Sequence, residues 1–141
     1  MLSSYRTNKI ERALLTLDSI LETIDRLDEW NQNVGSVSDY ACSPSGMQLL
    51  AANCTLLVAI GEGVNRIDKA LPEFLSTYLP EIPWSDVVSM RNRIAHGYFE
   101  LDANVVFETI KNDIPMLKLV LTKASSYLRD YLEQYPTWGN V

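Results

Sequence analysis

Six apolar residues, Ile10, Leu14, Leu17, Leu21, Ile24 and Leu27, recur at spacings of 4, 3, 4, 3 and 3. That period lays one apolar face along a helix from Thr7 to about Trp30, and a strand cannot keep it. Glu11, Asp18, Glu22, Asp25 and Arg26 fall between these positions and solvate the opposite face. An apolar helix face needs partners, and the rest of the chain offers further helices.

"NQNVGSVSDYACSPSG", residues 31–46, is rich in Gly, Ser, Asn and Asp and reads as a loop. Pro44 is suited to the first position of a second helix, which continues through "MQLLAANCTLLVAIGEGVNRIDKAL". The middle of that helix is expected to be buried on most sides. Gly61 and Gly63 bracket Glu62 there. Each costs about 1 kcal/mol of helix propensity, which makes sense where another backbone comes close. Pro72, Pro80 and Pro83 leave room for only a short helix and a turn. "WSDVVSMRNRIAH" follows as a helix stopped by Gly97. The last helix opens with Asp102 as N-cap and carries the stripe Val106, Ile110, Ile114, Leu117, Leu121, Ala124 and Leu128. Pro115 should kink it. The expected fold is all-α: an antiparallel bundle of four main helices plus one short helix, in a single domain spanning 1–141, with a loose tail at 136–141.

The totals bound the function. A chain of 141 residues that is 47% apolar can bury a core, and 21% charged residues do not suggest disorder. Charges break the apolar runs before the ~20 residues of a membrane helix, and the charged N-terminus does not resemble a signal peptide. We therefore expect a cytoplasmic protein with no membrane partner. Cys42 and Cys54 are expected to be reduced thiols. Two cysteines and one histidine without metal-ligand spacing argue against a zinc site, and no metal or cofactor is expected. The net charge of −6 excludes a broad basic nucleic-acid surface, so contact with RNA would need a local positive slot.

"SMRNRIAHGYFE", residues 89–100, concentrates such charge. It holds the chain's only histidine, His96, together with Arg91 and Arg93, and no acid lies between Asp86 and Glu100. On a helical wheel Ser89, Asn92 and His96 share the polar side, Arg93 lies near it, and Arg91 falls in the middle of the apolar side. A buried unpaired guanidinium costs several kcal/mol. Arg91 therefore either pairs within the chain, with Glu62 as the candidate, or reaches a cleft shared between subunits. The wheel separates Arg91 from His96 by about 140°. They converge only if the helix unwinds at Gly97 or a second subunit contributes its own copies. His96 is either a favourable C-terminal cation or, with a pKa near ~6.5, a proton-transfer group.

The segment "RNRIAHGYF" fits Arg-x4-His-x-Tyr, with Arg91, His96 and Tyr98 in the defining places. With "IGEG" and "PEIPW" upstream and "NDIP" downstream, residues 8–125 resemble the HepT-like branch of the HEPN superfamily. The resemblance implies a bundle that forms a homodimer. It also implies a metal-independent endoribonuclease, the toxin of a type VII-like toxin–antitoxin pair with RNA as substrate. Its antitoxin would be a minimal nucleotidyltransferase (MNT) that transfers AMP from ATP to the motif tyrosine, Tyr98. His96 would act as acid or base and Arg91 as phosphate clamp, with Asn92, Arg93 and Glu62 in support. The alternative is a non-catalytic helical subunit that presents substrate or nucleotide to a nucleotidyltransferase. A buried bundle aromatic is the alternative role for Tyr98. The loop 31–46 matches no family pattern.

Overall fold

The computed structural model describes residues 2–95 and 102–135. Its helices are α1 (Leu2–Trp30), α2 (Pro44–Ala70), α3 (Phe74–Tyr78), α4 (Trp84–Ala95), α5 (Ala103–Glu108) and α6 (Ile114–Gln134). The described residues contain no strand, and the all-α bundle expected from the periodicity is the fold. α2 packs on α1 and α4, and α6 packs on α1. The stripe of α1 forms one wall of the core: Leu17, Ile24 and Leu27 are fully buried, joined by Ala13 and Ile20, while Leu21 is half-buried. All seven stripe residues of the last helix are buried. α1 begins five residues earlier than the apolar period requires, at Leu2 rather than Thr7.

Local chemistry sets the helix ends. Ser43 caps α2, its Oγ accepting from Gly46 N at 3.0 Å, and Pro44 occupies the first turn. Asp102 caps α5 by accepting from Asn104 N at 2.9 Å. Ahead of Pro115 the backbone widens into a π turn, Thr109–Asp113. Proline has no N–H, and its ring clashes with the carbonyl four residues back. The expected kink therefore takes the form of a π turn that links α5 to α6. The indole of Trp84 donates to the Leu75 and Leu79 carbonyls at 3.1 and 2.8 Å, tying the start of α4 to α3.

Three expectations need correction. The loop at 31–46 is not irregular throughout. A 3-10 turn, Val37–Tyr40, buries the Tyr40 ring, whose hydroxyl donates to Asn31 Oδ1 at 2.9 Å. Asn53 Nδ2 donates to the same Asn31 oxygen and to the Tyr40 hydroxyl, at 2.9 and 3.1 Å. Second, α2 is long and apolar enough to cross a membrane by length and composition, with a mean hydropathy of 1.4 over its best window. Third, the middle of α2 is not buried on most sides. Only 33% of that window is buried, because α1 and α4 cover two flanks and leave Thr55 and Ala59 exposed. The tail 136–141 lies outside the described residues.

Candidate functional site

Gly61 decides how α4 lies on α2. A Cβ at Gly61 would stand 3.0 Å from the Val87 carbonyl oxygen and 3.6 Å from Arg91 N. The two helix backbones therefore approach where any larger side chain would separate them. Gly63 instead makes room for a side chain of α1, with Ile20 2.8 Å from the position of its missing Cβ. Trp84, Met90 and Ile94 turn the apolar face of α4 into the core. Val87 and Val88 are half-buried against it.

Arg91 sits on this packing face, as the wheel requires, but its side chain is not buried. The narrow seam at Gly61 has no room for a guanidinium, which emerges beside α2. There its Nε lies 3.3 Å from Glu62 Oε1. The side chains are 60% and 43% exposed, so this is a solvated pair. The expected partner is correct, while the expected burial of the arginine is overturned. A wheel gives the direction of a residue, and the covering helix ends its cover within a side chain's length.

Asn92 and Arg93 open onto different grooves. Asn92 lines a groove of about 630 Å³ in which Asn65, Asp68, Ser85 and Ser89 stand beside Val64, Trp84 and Val88. Arg93 lines a groove of about 450 Å³ in which Glu81, Asp86 and Asp113 also stand. The stretch around Arg93 is free of acids in sequence, but α5–α6 and the turn before α4 bring carboxylates to it. Both arginines of α4 thus stand beside acids, Arg91 in an ion pair with Glu62 and Arg93 in a groove shared with three carboxylates. Arg66 was not singled out from the sequence. It lies four residues after Glu62, a helical neighbour, and lines a cavity of about 420 Å³ between α1 and α2 together with Glu62 and Leu15. That spacing was the available signal. His96, Gly97 and Tyr98 lie outside the described residues.

The thiols stand away from this seam. Cys42 is exposed and Cys54 half-buried, with burial pushing the Cys54 thiol above its ordinary range. Among the described residues no cluster of three or more His, Cys, Asp or Glu side chains could hold a metal ion.

The sequence profile described as ribonuclease HepT-like matches residues 10–124. The chain belongs to that family. As a member of the HepT-like family it is placed among the ribonucleases of HEPN type. It is 32% identical over 102 residues to a protein of Thermococcus cleftensis named probable ribonuclease HepT, covering 72% of this chain and 86% of that one. A candidate RNase of Methanocaldococcus jannaschii is 31% identical over 102 residues, covering 72% and 78% of the two chains. Another, from Caldanaerobacter subterraneus, is 30% identical over 102 residues, covering 72% and 84%. No solved structure matches. The matched region runs from the α1 stripe into α6 and includes the whole Arg91 seam.

Proposed function

We propose that this chain is a metal-independent endoribonuclease toxin that acts as a homodimer and is neutralised by an MNT-type nucleotidyltransferase antitoxin. The observation that carries the reading is Arg91. In a chain of the ribonuclease HepT-like family, it is an exposed guanidinium fixed to α2 at the Gly61 seam, five positions before the only histidine. Its solvated ion pair is weak enough for an RNA phosphate to take over the guanidinium. The open flank of α2 supports a second subunit packing there.

The chemistry needs two proton transfers and one anion clamp. A C2 interface brings identical residues together across its axis, so a dimer supplies two His96 and two Arg91. One neutral imidazole takes the proton of the RNA 2′-hydroxyl, whose oxygen attacks the adjacent phosphorus. The planar fork of Arg91 holds the negative charge of the phosphorane. The second His96, protonated, delivers its proton to the departing 5′-oxygen. The products are a 2′,3′-cyclic phosphate and a 5′-hydroxyl. Asn92 orients the imidazole or the phosphate, and Glu62 holds Arg91 at the seam until the RNA phosphate displaces it. In neutralisation the Tyr98 phenol attacks the α-phosphorus of ATP and releases pyrophosphate. The added AMP places negative charge and bulk where the RNA phosphate must sit.

The test is cleavage of cellular RNA in EDTA by the wild type and His96→Ala. We expect wild-type cleavage and a loss of about 10²–10⁴-fold in the variant. Equal rates would remove His96 from the mechanism, and an inert wild type would favour the non-catalytic subunit. With the partner and ATP, the wild type should gain the mass of AMP and Tyr98→Phe should not.

A further inference from the structure

At the end of the bundle away from the α4 C-terminus, α1, α3 and α6 enclose a pocket of about 660 Å³, within the ~300–1,000 Å³ usual for ligand sites. Its wall is aromatic. Phe74, Tyr78 and Tyr127 stand with ring centroids 5.2–5.7 Å apart, at 34–40° to one another. Phe74 is buried and forms the floor, whereas Tyr78 and Tyr127 are 58% and 46% exposed. Large rings left this open are not there for the core. Arg6 and Lys9 of α1 line the same pocket, and Glu73 is the only carboxylate of the lining. The Lys9 ammonium lies 4.6 Å from the ring centroid of Tyr5, one turn back on α1. In a chain of net charge −6, this pocket sets two cations and two exposed tyrosines against a single carboxylate.

We propose that this pocket is an accessory RNA-binding site that holds a single-stranded segment of the substrate at a distance from the cleavage seam. The proposal rests on the RNA-cleaving reading for the identity of its ligand. Exposed tyrosines offer π faces to any base, and cations beside them fit the backbone phosphates. Position supports a strand rather than a free nucleotide. The pocket adjoins the groove of Asn92, with Pro72 and Glu73 lining both. From Gly61, level with Arg91, to Ala70 at the pocket is about 14 Å along α2, at about 1.5 Å per residue. A few nucleotides span that distance. The site also answers how an acidic protein grips RNA: it adds two phosphate contacts and base stacking outside the small seam.

The test uses the full chain in a His96→Ala background, so that binding is read without cleavage. Fluorescence anisotropy would follow a labelled oligoadenylate of about 12 nucleotides, a labelled dinucleotide and labelled AMP. Tyr78→Ala with Tyr127→Ala should weaken the long RNA about 10-fold or more and leave the dinucleotide unchanged, and the pair of Phe substitutions should restore binding. Arg6→Gln with Lys9→Gln should lower the slope of log Kd against log salt by about 1.4, at about 0.7 per phosphate contact. Arg6, Tyr78 and Tyr127 are exposed and Lys9 is half-buried, and a circular-dichroism melt confirms that each variant is folded. Unchanged affinity for long RNA in both double variants would overturn the proposal. Loss of AMP binding equal to the loss for long RNA would overturn it in favour of a mononucleotide site. The outcomes remain separable from the RNase reading. Pocket-dependent binding by a chain whose wild type never cleaves would sink only the RNase reading. Cleavage of long RNA by an otherwise wild-type chain, indifferent to the pocket substitutions, would sink only this one.

Discussion

Two polar contacts fasten other parts of the chain to α2, and they are built in opposite ways. At Asn53, fully buried, three neutral groups satisfy one another: Asn31 Nδ2 donates to Asn53 Oδ1 at 2.8 Å, and both asparagines bond Tyr40. At Glu62 a charged pair stands in water, 3.3 Å apart and around half exposed. The buried network holds the 31–46 segment through groups that cannot be lost singly without stranding a partner. The exposed pair contributes little stability and leaves a cation that a phosphate can claim. The structural contact is the dry neutral one, and the contact suited to chemistry is the wet charged one.

That contrast can be broken at several points. Asn53→Ala should have the largest effect on stability, a loss of about 2–4 kcal/mol by thermal or urea melting, since it strands two buried partners. RNA cleavage by the fraction that remains folded should be normal. Gly61→Ala should cost about 1 kcal/mol net. The added Cβ presses on the Val87 carbonyl, at about 1–3 kcal/mol, against about 1 kcal/mol gained in helix propensity. Because α4 carries Arg91, cleavage should fall further than stability.

Tyr40→Phe should cost about 1 kcal/mol at neutral pH and also change the alkaline limb of stability. Burial holds the Tyr40 phenol above its ordinary 10.0, so the unfolded chain gives up this proton first. The associated stability is complete below pH 10.0 and disappears as pH rises through the folded value. Melts at pH 8 to 11, about the tyrosine range, should therefore show a shallower decline in the variant. Glu62→Gln should be smallest, within about 0.5 kcal/mol by melting. It should lower the KM for RNA about 2–5-fold, because Arg91 loses its competing carboxylate.

What the sequence disclosed follows from the range of each signal. The stripes of α1 and the last helix repeat with the helical period and could be read directly. The caps Ser43–Pro44 and Asp102 are local, and so was the close approach at Gly61. The Asn31–Tyr40–Asn53 network joins neutral side chains across separations of up to 22 residues. No periodicity or charge marks such a contact. The apolar character of α2 overstated its burial, because hydropathy records avoidance of water and does not say which helix provides cover. Glu62 was legible as the partner of Arg91 because it is the only acid on a long stretch of α2. The solvation of that pair was not, since it depends on how far α2 extends beside α4. Asp113 reaches the Arg93 groove from a segment distant in sequence, and this also hid it.

The most direct measurement is single-turnover RNA cleavage in EDTA by Arg91→Ala, with a melt of the same sample. If Arg91 is the phosphate clamp, the rate falls about 10²–10³-fold while stability stays within about 0.5 kcal/mol of wild type. Wild-type cleavage by that variant, or a loss of activity that merely follows a loss of folding, would contradict the assignment.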